Sequence, residues 1–390
     1  MTYDFDEIIE RRDTDSLKYD FAAKRGMPDG LLPLWVADMD FRTPACVIDA
    51  LIEKSAHGIF GYSESREDYF EVLQGWFSRR FDWQVQPDWL VKTPGVVFAV
   101  CAAIRALTQT GNAVLIQQPV YYPFTESVEV NRRKLVVNEL VYDGSTYHID
   151  FEDFEQKIKE HNVKLFILCN PHNPVGRVWT RDELIRMGDI CAAHDVTVIS
   201  DEIHADFIYP DNTHTIFAGL KPEFEAITVT CTAPTKTFNL AGLQISNIFV
   251  ANRTIRHRIR QEINRCGYSQ LNVMGIVACK AAYQKGEDWL EALKGYLAEN
   301  LVYLRDFLET RIPEIKLVEP QGTYLVWLDC KALKLSDKAL DELIVSRAKL
   351  WLDAGTMFGQ GGSGFQRINI GCPRSVLKQA LEQLERAVHR

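Results

Sequence analysis

Ile227-Thr228-Val229-Thr230-Cys231 runs into Ala233-Pro234-Thr235-Lys236-Thr237-Phe238-Asn239, and the join between the two stretches decides the fold. The first is rich in β-branched residues and reads as a strand; the second sets one lysine among small and hydroxylated residues just past the strand's end. Two upstream stretches repeat the pattern. Asn173 lies in Asn170-Pro171-His172-Asn173-Pro174-Val175-Gly176 and Asp201 in Ile199-Ser200-Asp201-Glu202-Ile203-His204, each just after a β-branched or apolar run. In an open parallel sheet, ligands bind outside the carboxyl ends of the strands, so an amine, a carboxylate and an amide delivered there can surround one bound group. A lysine so placed suits a Schiff base with an aldehyde, and pyridoxal phosphate is an aldehyde cofactor that needs all three residues.

The rest of the chain supplies the sheet. Apolar runs bounded by turn residues recur at 113–117, 135–138, 165–169, 196–200, 227–231 and 245–250, with helical patterns at 96–107 and 181–194 between some of them. This alternation predicts β-α units feeding a mostly parallel sheet. After about residue 285 the pattern changes to an amphipathic stretch at 289–308, short strands near 323–328 and 367–370, and a last helix at 374–388. That is the pattern of a smaller α+β lobe, and 390 residues exceed the usual size of one hydrophobic core.

Composition narrows the function. Hydrophobic residues at 46% and charged residues at 25% are ordinary for a globular enzyme and predict no disordered tract. A formal net charge of −9 argues against a nucleic-acid or anionic-membrane binder, which needs a basic surface. Arg253, Arg256, His257, Arg258 and Arg260 cluster with Glu262 in an expected helix, where a solvated face or inter-helix pairing accounts for them. No apolar run approaches the length of a membrane span, and no basic stretch precedes an apolar one at the start, so a cytoplasmic protein is expected. The nine cysteines form no Cys-x-x-Cys pair, and Cys169 and Cys231 read as buried small hydrophobes. Asp201, Glu202, His204 and Asp206 lack the usual zinc spacings, and no metal is expected.

The order Asn173, Asp201, Lys236, followed by Arg367 in Phe365-Gln366-Arg367-Ile368-Asn369, resembles the fold-type I pyridoxal-phosphate enzymes of the aminotransferase class I/II family over almost the whole chain. Three stretches are similar to the carbon-sulfur β-lyase branch, which includes cystathionine β-lyases and cysteine desulfhydrases: Tyr3 to Ile9, Thr14 to Asp20, and Leu34-Trp35-Val36-Ala37-Asp38-Met39-Asp40-Phe41. The run from Gly355 to Arg367 matches that branch as well. The resemblance implies a large cofactor-binding domain at residues 46–285, with a mostly parallel sheet of seven-stranded type. It implies a small α+β domain built from residues 1–45 plus 286–390, and a homodimer with shared active sites.

The resemblance also implies roles. Lys236 would hold the cofactor aldehyde and, once displaced by the substrate amine, remove the Cα proton. Asp201 would keep the pyridine nitrogen protonated, because a nearby carboxylate favours the charged form of a base; an aspartate after a strand can equally cap a helix. Asn173 would donate to the ring hydroxyl oxygen and touch the substrate, while Pro174 and Gly176 also suit it to a turn. Tyr121 would stack over the ring, with core packing as the rival. Gly95, Val96 and Val97 open a helical pattern whose backbone amides could face the phosphate, and Thr235 would add a hydroxyl. Tyr62 would reach the phosphate of the neighbouring subunit, or else be a buried intrachain tyrosine. Arg367 would grip the substrate α-carboxylate as a planar two-pronged donor, an inter-strand salt bridge being its other reading. Val36 and Ala37 would line the same pocket. Where many aminotransferases of the family carry a tyrosine three residues after the aspartate and an arginine eight after the lysine, this chain has His204 and Gln244. The β-lyase branch shares the histidine; Gln244 leaves the phosphate one cation short.

These residues serve elimination and transamination alike. The N-terminal match and the segment from Trp35 to Phe41 turn the expectation toward α,β-elimination from L-cystathionine or a related cysteine S-conjugate, giving a thiol, pyruvate and ammonia. An aminotransferase is the alternative. A cofactor-binding regulator acting through protein contacts is a third reading, against which an intact Lys236 stands.

Overall fold

The computed structural model describes residues 3–389. Its large sheet has eight strands: β1 (Leu90–Thr93), β2 (Ala113–Gln118), β3 (Lys134–Tyr142), β4 (Tyr147–Ile149), β5 (Leu165–Cys169), β6 (Thr197–Asp201), β7 (Thr228–Thr232) and β8 (Ser246–Phe249). They lie in the order β1-β8-β7-β6-β5-β2-β3-β4. From β7 across to β3 all neighbours are parallel. β8 is antiparallel to both β7 and β1, and β4 folds back on β3. The seven-strand core therefore runs from β1 to β3, and the eighth strand is a local hairpin extension. Asp143 closes that hairpin by accepting the backbone N–H groups of Ser145 at 2.8 Å and Thr146 at 2.9 Å, while Gly144 takes a φ of 99° that most residues resist.

A parallel sheet is stable only when helices cover both faces, so its strands must be apolar on both sides. β5 shows this directly. Leu165, Ile167 and Cys169 pack with Val100, Ile104 and Ile259 on one face, and Phe166 and Leu168 pack with Phe154, Leu184 and Met187 on the other. The helices Val96–Leu107 and Arg253–Arg265 cover the first face, and Phe151–Glu160 and Arg181–Ala193 the second. Thr180 and Glu183 cap Arg181–Ala193 reciprocally, which accounts for its sharp start. In the basic cluster on Arg253–Arg265, Arg256 pairs with Asp88 at 2.7 Å and Arg260 donates to the Asp88 and Leu90 carbonyls, while Arg253, His257 and Arg258 form an exposed face; Glu262 pairs with Arg105 at 2.6 Å.

Boundaries near the site differ from the sequence reading by a residue or two. Ile227 closes the helix Pro222–Ile227, so the strand starts at Thr228, and Asp201 is the last residue of its strand instead of the first beyond it. Lys236 sits in a single helical turn, Pro234–Thr237, where the proline occupies a position whose N–H would have no helical partner.

A second, antiparallel sheet contains β9 (Lys316–Val318), β10 (Leu325–Asp329), β11 (Asp353–Ala354) and β12 (Phe365–Asn369) in the order β9-β10-β12-β11. Helices Glu287–Arg311 and Arg374–Val388 share its apolar core through Leu293, Leu297, Leu377 and Leu381 with Leu325 and Ile368. The N-terminal segment joins this part of the molecule: Leu32 and Pro33 pair with Leu350 and Trp351, and Trp35 stacks on Trp351 with ring centres 4.5 Å apart. No helix among the described residues is long and apolar enough to cross a membrane.

Candidate active site

Three adjacent strands, β5, β6 and β7, deliver Asn173, Asp201 and Lys236 to one end of the large sheet. Lys236 is half-buried, and its amine is held inside the site: Nζ donates to the Ala37 carbonyl at 2.7 Å. The Tyr324 hydroxyl donates to the same oxygen at 3.0 Å. Burial pulls the Lys236 amine down to about 8, and the Arg367 cation pushes the same way while Asp38 and Asp201 oppose. Burial also pushes the Asp201 carboxyl up to about 7, against the Ile203 N–H it accepts at 3.2 Å and the nearby lysine charge. Both groups therefore stand close to neutrality in their proton affinities, as reacting groups in enzymes tend to. His204 is buried and pushed down to about 3 by burial, with the Lys236 and Arg367 cations acting the same way. Its ring is thus neutral, sits edge-on to Tyr324 at 5.8 Å, and keeps Nδ1 without a hydrogen-bond partner among the described residues.

Asp201, Glu202, His204 and Asp206 do not share a focus. Glu202 accepts from His214 at 2.8 Å and Ser200 at 2.9 Å, whereas Asp206 takes Arg80 at 3.0 Å and the Thr237 hydroxyl at 2.7 Å. The last contact ties down the residue after Lys236.

Arg367 reaches the same site from β12. Its Nη1 donates to Asn173 Oδ1 at 3.0 Å, and its Nη2 donates to the Trp35 carbonyl at 2.8 Å and pairs with the Asp353 carboxylate. Phe358 lies against the guanidinium at 4.9 Å. Arg367 Nε is buried with no hydrogen-bond partner among the described residues. Both sequence readings of this arginine hold together: it is an inter-strand salt bridge, and it still carries a free donor.

The β-lyase-like segment is held by two asparagines. Asn369 Nδ2 donates to the Val36 and Asp38 carbonyls, both at 2.7 Å, and Asn239 donates to the Met39 and Phe41 carbonyls at 2.9 Å while accepting from Met39 N–H at 3.0 Å. Beneath it, Arg11 and the fully buried Lys18 pair with Asp40 at 2.6 and 2.7 Å. Val36 and Ala37 thus present their carbonyls from a strap fixed at both ends.

The remaining residues take varied positions. Gly95 caps the helix Val96–Leu107 in extended backbone, and a Cβ added there would meet nothing within 4 Å, which leaves open space at the helix N-terminus; Val96 is buried and Val97 exposed. Tyr121 donates its backbone N–H to the Asn173 carbonyl at 3.0 Å and packs edge-on against Phe124. Thr235 lies on the turn beside Lys236, with its carbonyl taken by Leu240 N–H at 2.9 Å. Tyr62 is 95% exposed, next to exposed Ile59 and Phe60, so the buried intrachain alternative is wrong: none of the described residues covers it. Gln244 is exposed in a left-handed turn, φ 50°, after Ala241–Leu243.

Three residues escaped the sequence reading. Asp353, Tyr324 and Asn239 sit in ordinary polar or apolar context, and only their contacts mark them. For Asp353 a signal existed in principle, a carboxylate set among Leu350, Trp351 and Leu352, where a buried charge needs a partner.

The family model for aminotransferase class I and II matches residues 30–384. The chain belongs to that family. It is 42% identical over 384 residues to "Cystathionine beta-lyase PatB" of Bacillus subtilis, a match covering 98% of this chain and 99% of the relative. Its structure superposes with a TM-score of 0.96 on cystalysin from Treponema denticola, which contains pyridoxal 5'-phosphate; the two are 38% identical, covering 100% of this chain and 99% of that one. A TM-score of 0.93 relates it to the pyridoxal-phosphate-bound C-S lyase from Staphylococcus hominis, at 34% identity over 100% of this chain and 99% of the other.

Proposed function

We propose that this chain is a pyridoxal-phosphate-dependent carbon-sulfur β-lyase that eliminates a thiol from L-cystathionine or a related cysteine S-conjugate, leaving pyruvate and ammonia. The observation that carries the reading is the hydrogen bond from Lys236 Nζ to the Ala37 carbonyl, which brings the candidate catalytic amine onto the segment that resembles the lyase branch. The similarity to a cystathionine β-lyase and to two pyridoxal-phosphate-bound lyase structures supports it.

The residues fit the cofactor. A buried amine near neutrality suits an aldehyde, a buried carboxyl near neutrality suits a ring nitrogen that needs its proton, and an open helix N-terminus suits a phosphate. Pyridoxal phosphate, when bound, supplies the electron-withdrawing ring that acidifies the substrate Cα–H. Lys236 would hold the aldehyde and its free amine would take the Cα proton on Nζ, with the Ala37 carbonyl fixing the approach of that amine. Asp201 holds the proton on the ring nitrogen. Asn173 Oδ1 accepts from Arg367, which leaves the amide hydrogens of Asn173 free to donate to the ring hydroxyl oxygen and the substrate. Tyr121 would stack on the ring, and His204, being neutral, would line the pocket without adding a charge. Gly95, Val96 and Val97 supply backbone amides to the phosphate and Thr235 a hydroxyl. Arg367 takes the α-carboxylate at its free Nε–H. Val36 and Ala37 enclose that end of the substrate.

In this reading residues 46–285 form the cofactor domain and residues 1–45 plus 286–390 the small domain. The chain works as a homodimer in the cytoplasm, with Tyr62 completing the phosphate site of a second copy; the exposure of Ile59, Phe60 and Tyr62 supports that partner. The test is product formation by cofactor-loaded protein given L-cystathionine and no keto acid, with Lys236→Ala as control. Sustained pyruvate and free thiol, lost in the variant, is the expected result; amino transfer that depends on an added keto acid, without pyruvate, would reverse the choice in favour of an aminotransferase.

A further inference from the structure

Among the described residues Asp353 is the one carboxylate in ion-pair contact with Arg367. The two face each other across β11 and β12 in direct register, so the backbone fixes their separation, and each side chain is 3% exposed. Water therefore screens this pair little. A guanidinium has five N–H donors. Three are committed to Asn173, Trp35 and Asp353, which leaves one Nη1–H and the Nε–H for a ligand, and the Nε is buried with no partner among the described residues.

A carboxylate binding there joins a cation that already holds an anion. Two negative groups then share one positive one, and the excess is offset only by a ligand that brings its own cation. An α-amino acid does so one atom away from its carboxylate. A 2-oxo acid or a simple fatty acid does not. Lys236, assigned to the cofactor aldehyde, adds a preference for amines that does not depend on the residue at 353, so the part owed to Asp353 is the part that changes when its charge is removed.

We propose that Asp353 is a specificity-determining residue which biases the α-carboxylate subsite against plain monocarboxylate anions and toward zwitterionic amino acids. The inference rests on the assignment of Arg367 to the substrate carboxylate in the lyase reading. It gives that reaction a direction: pyruvate, the anionic product, is held weakly, and 2-oxo acids are poor guests for amino transfer.

L-alanine and propionate lack a leaving group and differ by the amino group, which in every variant also bonds the cofactor aldehyde, so the effect of Asp353 is read as the change in their discrimination between wild type and variant and not as its absolute size. Their dissociation constants are measured by calorimetry on cofactor-loaded wild type, Asp353→Asn and Asp353→Ala. Asparagine keeps an acceptor for Arg367 Nη2 and removes the charge; its discrimination between L-alanine and propionate should fall about tenfold, chiefly through tighter propionate binding. Alanine also removes the anchor, so both ligands bind more weakly while the discrimination still falls. Unchanged discrimination in both variants, or a shift of both ligands by one common factor, overturns the proposal. L-cystathionine turnover by the wild type judges the lyase reading separately, since the calorimetric comparison requires no elimination.

Discussion

The two halves of the candidate site handle charge in opposite ways. At the end of the large sheet, the Lys236 amine and the Asp201 carboxyl have no salt-bridge partner among the described residues, and burial moves both toward neutral pH. In the small sheet, Arg367 is buried with Asp353 against it and Asn173 and Trp35 around it. A group that must gain and lose a proton is best left uncompensated, because its two protonation states then lie close in energy. A group that must only hold a ligand is best paired, because a locked guanidinium loses little freedom on binding. The difference separates reacting residues from gripping ones before any ligand is considered.

Breaking the reacting half should cost most. Lys236→Ala is expected to lower elimination by about 10⁴-fold, the upper range for a lost general base, and to remove the absorption band of the bound aldehyde. Asp201→Asn should lower turnover by about 10³-fold yet stabilise the cofactor-free protein at pH 8. The folded Asp201 titrates at about 7, above the ordinary 3.8, so its stabilising contribution is full below the lower value and is lost as pH rises through the upper one. At pH 8 it is an ionised buried carboxylate whose removal should raise the melting temperature by about 2 °C or more. An unchanged or lower melting temperature would show that the strand end tolerates the charge.

The gripping half should respond more gently. Arg367→Leu is expected to raise the KM for L-cystathionine by about 10²-fold, the size of a lost charged hydrogen bond, with a smaller effect on kcat. Sharpening the comparison further, amine-selective labelling of Lys236 in cofactor-free protein should rise with a midpoint near pH 8, since the neutral amine appears as pH passes about 8 and not the ordinary 10.5. Peptide mapping would read this out, and a midpoint near the ordinary value would place the amine in water. The smallest effect belongs to Tyr324→Phe. It removes one of two donors from the Ala37 carbonyl and should change turnover by about threefold, without loss of cofactor, as judged by steady-state kinetics.

Much of the reacting half was legible because it is local. A β-branched run followed by Ala-Pro-Thr-Lys announces its own strand and turn, and three such junctions in one chain define a sheet end. The gripping half was legible only as a lone Arg367 near the C-terminus, whose role came from resemblance. Its partner Asp353 was not, since nothing in Leu352-Asp353-Ala354 shows that β11 will lie in register with β12. Tyr62 went the other way: its exposure, 95%, is a property of the folded surface and separates it from a core tyrosine that sequence could not exclude.

By itself the sequence determined the class of fold, the end of the sheet where chemistry belongs and the amine, carboxylate and amide set there, because strand period and turn chemistry act over a few residues. Only the tertiary structure decided that Lys236 meets a carbonyl 199 residues earlier in the chain, and that Arg367 is shared among Asn173, Trp35 and Asp353. Those contacts depend on packing two sheets and an N-terminal strap together, and pairing over such separations leaves no periodic trace in the chain.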